Sequence, residues 1–108
     1  MKHMRELAKR IAPLTPEQYN RKKESSLREA YDLVNSVTCR GRKVILKGIR
    51  SIGGNDFEDV IKFSNWDVRT QRLTIAHGWT TNQIPRSVAQ DMIYAYLMSD
   101  YEADCCFI

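Results

Sequence analysis

The residues most capable of chemistry in this 108-residue chain are three cysteines, two histidines and a set of clustered charges. Cys39 and His77 are of the types that form a thiol and base pair, with Asp67 as the acid that would orient the imidazole. Residue types alone carry that arrangement. No nucleophile signature surrounds Cys39, and His77 alternates with Leu73, Ile75 and Trp79, which places it on an apolar strand face as a partly buried structural histidine. Asp56, Glu58 and Asp59 crowd a turn without matched ligand spacing and read as a solvated loop leading into a strand. Cys105 and Cys106 lack the two-residue gap that brings two sulfurs to one zinc. The expectation is no catalytic residue, no metal and no cofactor.

Basic residues give the strongest signal. Arg40, Arg42, Lys43, Lys47 and Arg50 fall within eleven residues that contain no acid, and Gly41 and Gly48 would let a phosphate approach the backbone. Arg21, Lys22 and Lys23 form a second cluster. The net charge of +4 hides a division, because residues 1–50 hold 13 Lys or Arg against 5 Asp or Glu, whereas residues 51–108 hold 4 against 8. Such polarity suits an anionic partner, either nucleic acid or a larger acidic protein, or else cancels internally when the halves pack together. A competing explanation for the basic strand is an edge protected against aggregation by Lys and Arg. Stacking of bases would need exposed aromatics beside the charges, for which Phe63, Trp66 and Trp79 are candidates, although each fits a core better.

Apolar residues at 43% and charged residues at 28% match globular averages, and the length suits a single domain over 1–108. No apolar run reaches a membrane span and no secretory signal opens the chain, so the expected location is cytoplasmic, with reduced thiols and no membrane partner. The last four residues, Cys105, Cys106, Phe107 and Ile108, resemble a C-terminal prenylation box. Acidic Asp100, Glu102 and Asp104 stand where a polybasic signal would be expected, and the match reads as coincidence.

Periodicity supplies the elements that would position these residues. Met4, Leu7, Ala8 and Ile11 predict a helix over Met1–Ala12, ended by Pro13. Thr15 as N-cap with Pro16 at the first helical position starts a second helix, whose apolar stripe runs through Leu27, Ala30, Tyr31, Val34 and Val37. Residues 42–52 predict a strand with a bulge at Gly48, residues 59–66 a second strand, and residues 72–79 a third. Thr80–Pro85 reads as a loop. Ser87 and Gln90 suggest a capping box for a last helix, with Val88, Ala89, Met92, Ile93, Tyr96 and Leu97 facing a sheet. The expected fold is therefore α+β with two layers, a three-stranded antiparallel meander with helices packed on one face in the order α-α-β-β-β-α, and a frayed tail over 103–108. Tyr94 and Tyr101 lie off the last helix's stripe and suggest a protein interface, including a homodimer through that helix. Function is read as a non-catalytic, regulatory protein whose basic surface contacts DNA or RNA. The alternative is a small regulatory or inhibitory protein that binds a larger protein through its helical, aromatic surface.

Overall fold

The computed structural model describes residues 14–107, so the helix expected over Met1–Ala12 lies outside the described residues. The chain is α+β, with two helices and a five-stranded antiparallel sheet. Helix α1 spans Pro16–Arg40, strand β1 Arg42–Ile52, β2 Asn55–Asp67, β3 Arg72–His77, β4 Thr80–Pro85, helix α2 Arg86–Met98 and β5 Glu102–Phe107. Spatial order across the sheet is β4-β3-β2-β1-β5. The expected three-stranded meander is thus its centre, extended by one strand on each side.

Helix α1 begins as its sequence requires. The Thr15 hydroxyl accepts from the Gln18 backbone N–H while the Gln18 side chain accepts from the Thr15 N–H, a complete capping box with Pro16 inside it. Twenty-five residues at 1.5 Å each make a rod of about 37 Å. Its second half carries the buried stripe of Ala30, Leu33, Val34 and Val37, while residues 14–21 are all exposed. Leu27 and Tyr31, expected on that stripe, are exposed. Each follows a buried small residue, Ser26 and Ala30, by one position, and one step of 100° turns it off the contact line.

Both helices cover one face of the sheet. Val44 and Leu46 of β1 stand opposite Phe63 and Ile61 of β2, and Phe63 stands opposite Ile75 of β3. These side chains, with Leu73, close against Ala30, Leu33, Val34 and Val37 of α1 and Ala89, Ile93 and Leu97 of α2. The other face, with Lys43, Ile45 and Lys47 on β1 and Glu58, Val60 and Lys62 on β2, has no helix over it among the described residues. Phe63 is fully buried and Trp66 packs on the core, so neither is a stacking platform.

Four local expectations are corrected. Gly48 makes no bulge, since β1 pairs with β2 without interruption from Val44 to Ile52. The irregularity falls instead between Ser64 and Asp67, where Asn65 takes a positive φ of 56°. Thr80–Pro85 is strand β4, whose polar Thr-Thr-Asn-Gln run hides a strand because an edge position with only Ile84 turned to the core demands little apolarity. The capping box at Ser87 does not form; α2 opens two residues earlier, with Pro85 at the N-cap and no side-chain cap. The segment expected as a frayed tail is β5, paired with β1 from Lys47↔Glu102 to Arg42↔Phe107. Val44–Lys47 is therefore flanked on both sides, by β2 and β5, and an open edge does not account for Lys47.

Candidate functional site

β1 and β2 outrun their neighbours. Pairing of β2 with β3 ends at Ile61↔His77, and pairing of β1 with β5 ends at Lys47↔Glu102. Beyond those points Gly48–Ile52 and Asn55–Val60 continue as a two-stranded ribbon, paired to each other and to no other strand among the described residues. Gly53 and Gly54, at φ of 58° and 81°, close its tip. Two successive positive φ values are the geometry of a two-residue hairpin turn whose twist matches the strands. At about 3.3 Å per residue the five residues of β1 carry the tip roughly 16 Å beyond the sheet.

Where β3 stops and β2 continues, a notch opens. One wall is the unpaired edge of β2, and the floor is the turn His77-Gly78-Trp79 that leads into β4. It encloses about 860 Å³ and is lined by Ile52, Phe57, Val60, His77 and Trp79, with Arg50 and Glu58 at its sides. Trp79 was expected on the apolar face of β3. It sits instead in the turn at 104% of its reference exposure, with Ile52 at 54% and Phe57 at 52% nearby. Three large apolar side chains are thus wet at one end of the molecule.

A polar network anchors the ribbon's base. His77 Nε2 lies 2.6 Å from Asp59 Oδ1, and the Tyr101 hydroxyl donates to Asp59 Oδ2 at 2.7 Å. One carboxylate thereby ties β2 to β3 and to the residue that enters β5. Burial works to raise the Asp59 pKa, but the hydrogen bonds from Tyr101 and His77 and the nearby charges of His77 and Arg50 outweigh it, holding the carboxyl below its usual range. Burial first, then the bond to Asp59 and that carboxylate's charge, push the Tyr101 phenol well above its ordinary value. Tyr96, whose ring centroid is 4.8 Å from that of Tyr101, is raised by burial and by Asp59 as well. An Asp–His pair can orient an imidazole for proton transfer, yet the expected companions are elsewhere. Cys39 is exposed at the end of α1 beside Thr38, and Asp67 accepts from the Arg69 and Thr70 backbone N–H groups in the β2–β3 hairpin, at the far end of β3 from His77.

The eight basic residues singled out from the sequence are not gathered into one surface. Arg40, Arg42 and Lys43 share the corner between α1 and β1. Lys47 stands on the helix-free face, opposite Glu102. Arg50 is on the ribbon, opposite Phe57. Arg21 and Lys23 are exposed on the overhanging start of α1, and Lys22 is occupied by an ion pair with Asp100 at 2.6 Å. Of the two interface candidates, Tyr94 packs partly against the core, and Tyr101, also partly buried, bonds Asp59 and lies beside the Tyr96 ring.

Among the described residues no group of three or more His, Cys, Asp or Glu is placed to hold a metal ion, and no helix is long and apolar enough to cross a membrane. The sequence signal for the notch was present in Gly53-Gly54 and in the pair Gly78-Trp79, both turn formers beside apolar residues. It was obscured because Trp79 continues the period-two pattern of β3. No protein-family model, curated protein or solved structure matches the chain.

Proposed function

We propose that the chain is a small, non-catalytic binding protein, of regulatory type, that engages a larger protein through the ribbon end of its sheet. The observation that supports this is the exposure of Trp79, Ile52 and Phe57 around one notch. Scattered apolar side chains are ordinary on protein surfaces, but a contiguous group that includes a tryptophan is the composition of an interface centre. The surrounding Arg50 and Glu58 supply the polar rim such centres have.

Capture from nuclease-treated lysate tests it, comparing the wild-type chain with a Phe57→Ala/Trp79→Ala variant. Both side chains are exposed, so the variant should melt as the wild type does while losing the protein it captures. Capture that survives the double substitution would sink the reading. A second reading, contact with nucleic acid, draws on the succession of Arg40, Arg42 and Lys43 at one corner, and capture abolished by nuclease would favour it.

A further inference from the structure

The ribbon is an acidic part of a basic protein. From Gly48 to Asp59 it holds Arg50 against Asp56, Glu58 and Asp59, while the whole chain carries +4. Strand alternation divides these groups. Asp56 and Glu58 stand on the helix-free side two residues apart, about 6.6 Å along the strand, and Phe57 and Asp59 stand on the other. An incoming strand repeats that period, so residues at i and i+2 meet the two carboxylates while those between them face Phe57.

From Asn55 to Val60 the outer edge of β2 has no strand beside it among the described residues, and it contains neither proline nor lysine nor a bulge, the devices that ordinarily blunt an edge. Only its carboxylates guard it. In the antiparallel register centred on Phe57, a second copy would place Asp56 opposite Glu58 twice, and like charges directly opposed destabilise a pair. The same carboxylates welcome a strand of opposite sign.

Resting on the reading of the ribbon end as a docking surface, we propose that β2 receives an extended, basic segment of the partner as an added strand, with Lys or Arg at alternate positions against Asp56 and Glu58. The intervening apolar side chains fill the notch between Phe57 and Trp79. Main-chain hydrogen bonds to the free edge would give affinity, and the alternate pockets specificity.

The probe is a blocked eight-residue peptide of alternating Lys and Val, with two controls, one of alternating Glu and Val and one N-methylated Lys/Val peptide that cannot donate along one edge. A Trp66→Phe background leaves Trp79 as the single tryptophan reporter. Binding of the Lys/Val peptide should shift Trp79 emission to the blue and slow amide exchange over residues 55–60. Both controls should bind weaker by on the order of tenfold. Asp56→Asn/Glu58→Gln should weaken the Lys/Val peptide by a similar factor without lowering the melting temperature. Equal binding of the N-methylated or the acidic peptide overturns strand addition, as does peptide-independent protection of residues 55–60 that grows with protein concentration, the mark of a second copy. Loss of partner capture in the Phe57→Ala/Trp79→Ala variant, with no effect of Asp56→Asn/Glu58→Gln, would sink this inference and leave the docking reading standing. Capture indifferent to Phe57→Ala/Trp79→Ala would remove both.

Discussion

Tyr101 lies flat on Gly48, so closely that a Cβ at position 48 would meet the ring carbons at 2.5–2.6 Å. No real Cβ contact is that short, and the obstacle is the body of an aromatic ring anchored at its hydroxyl by Asp59. Glycine at 48 is therefore required by close approach, where the sequence suggested a bulge. The contact also sets where β5 begins, because Tyr101 immediately precedes it.

Substituting Gly48→Ala should displace the Tyr101 ring, break its bond to Asp59 and cost about 1–3 kcal/mol, the usual penalty of overpacking. Urea unfolding of the variant measures it. On a Tyr101→Ala background the same substitution should cost little, since the obstacle is gone, and the difference between the two costs isolates the contact. Additive losses would mean that the ring does not rest on Gly48.

Asp59 makes stability depend on pH at the acid end. Its folded pKa is depressed, so its contribution is fully present above the unfolded carboxyl value near 3.9 and is lost as pH falls through the lower folded one. Tyr101 acts at the other end. Because its folded pKa is raised, its contribution is complete below the unfolded value near 10 and declines as pH climbs above that. Melting temperatures of wild type and Asp59→Asn should therefore converge as pH drops below about 4. The alkaline decline of the wild type above about pH 10 should be shallower in Tyr101→Phe.

Dispersal of the basic residues fixes how steeply nucleic-acid binding could respond to salt. The largest group within one corner is Arg40, Arg42 and Lys43, so a log–log slope steeper than about 3 is not expected for duplex DNA. Replacing Arg21, Lys23 and Arg50 with Gln should leave that slope unchanged, as these residues lie at the opposite end of α1 and on the ribbon. A slope approaching eight, lowered equally by all the replacements, would show that the chain presents one continuous basic surface to its ligand.

Legibility followed how far each signal was local. The N-cap at Thr15, the start of β1 at Arg42 and the start of β3 at Arg72 are decided by neighbours within a few residues, and the sequence pattern finds them. Strands β4 and β5 were missed because what makes them strands is a partner distant in sequence. Thr80–Gln83 is polar enough for a loop until β3 is beside it, and Glu102–Phe107 has a reason to be extended only once β1 offers an edge. The notch escaped for a related reason, since it is defined by where β3 stops pairing, and nothing within β2 marks that point. His77 was correctly placed on a largely apolar face, but its acid is Asp59, found across the sheet register rather than by proximity in sequence.

Strand β5 supplies the last prediction, because it turns a segment of unremarkable sequence into a structural member. It covers β1 over Arg42–Lys47, and Ala103 packs against the core beside Leu46. Deleting residues 103–108 would strip the ladder from one side of β1, uncover the flank of Val44 and Leu46, and leave a bare edge carrying Arg42, Lys43 and Lys47. A loss of about 2 kcal/mol or more in urea unfolding is expected, on the scale of several ladder hydrogen bonds at about 1 kcal/mol each offset by the freed chain's entropy. The measurement separates the two accounts of this segment. A frayed tail would come away without effect on the unfolding midpoint, whereas a paired strand lowers it and raises amide exchange along Val44–Lys47 in the same variant.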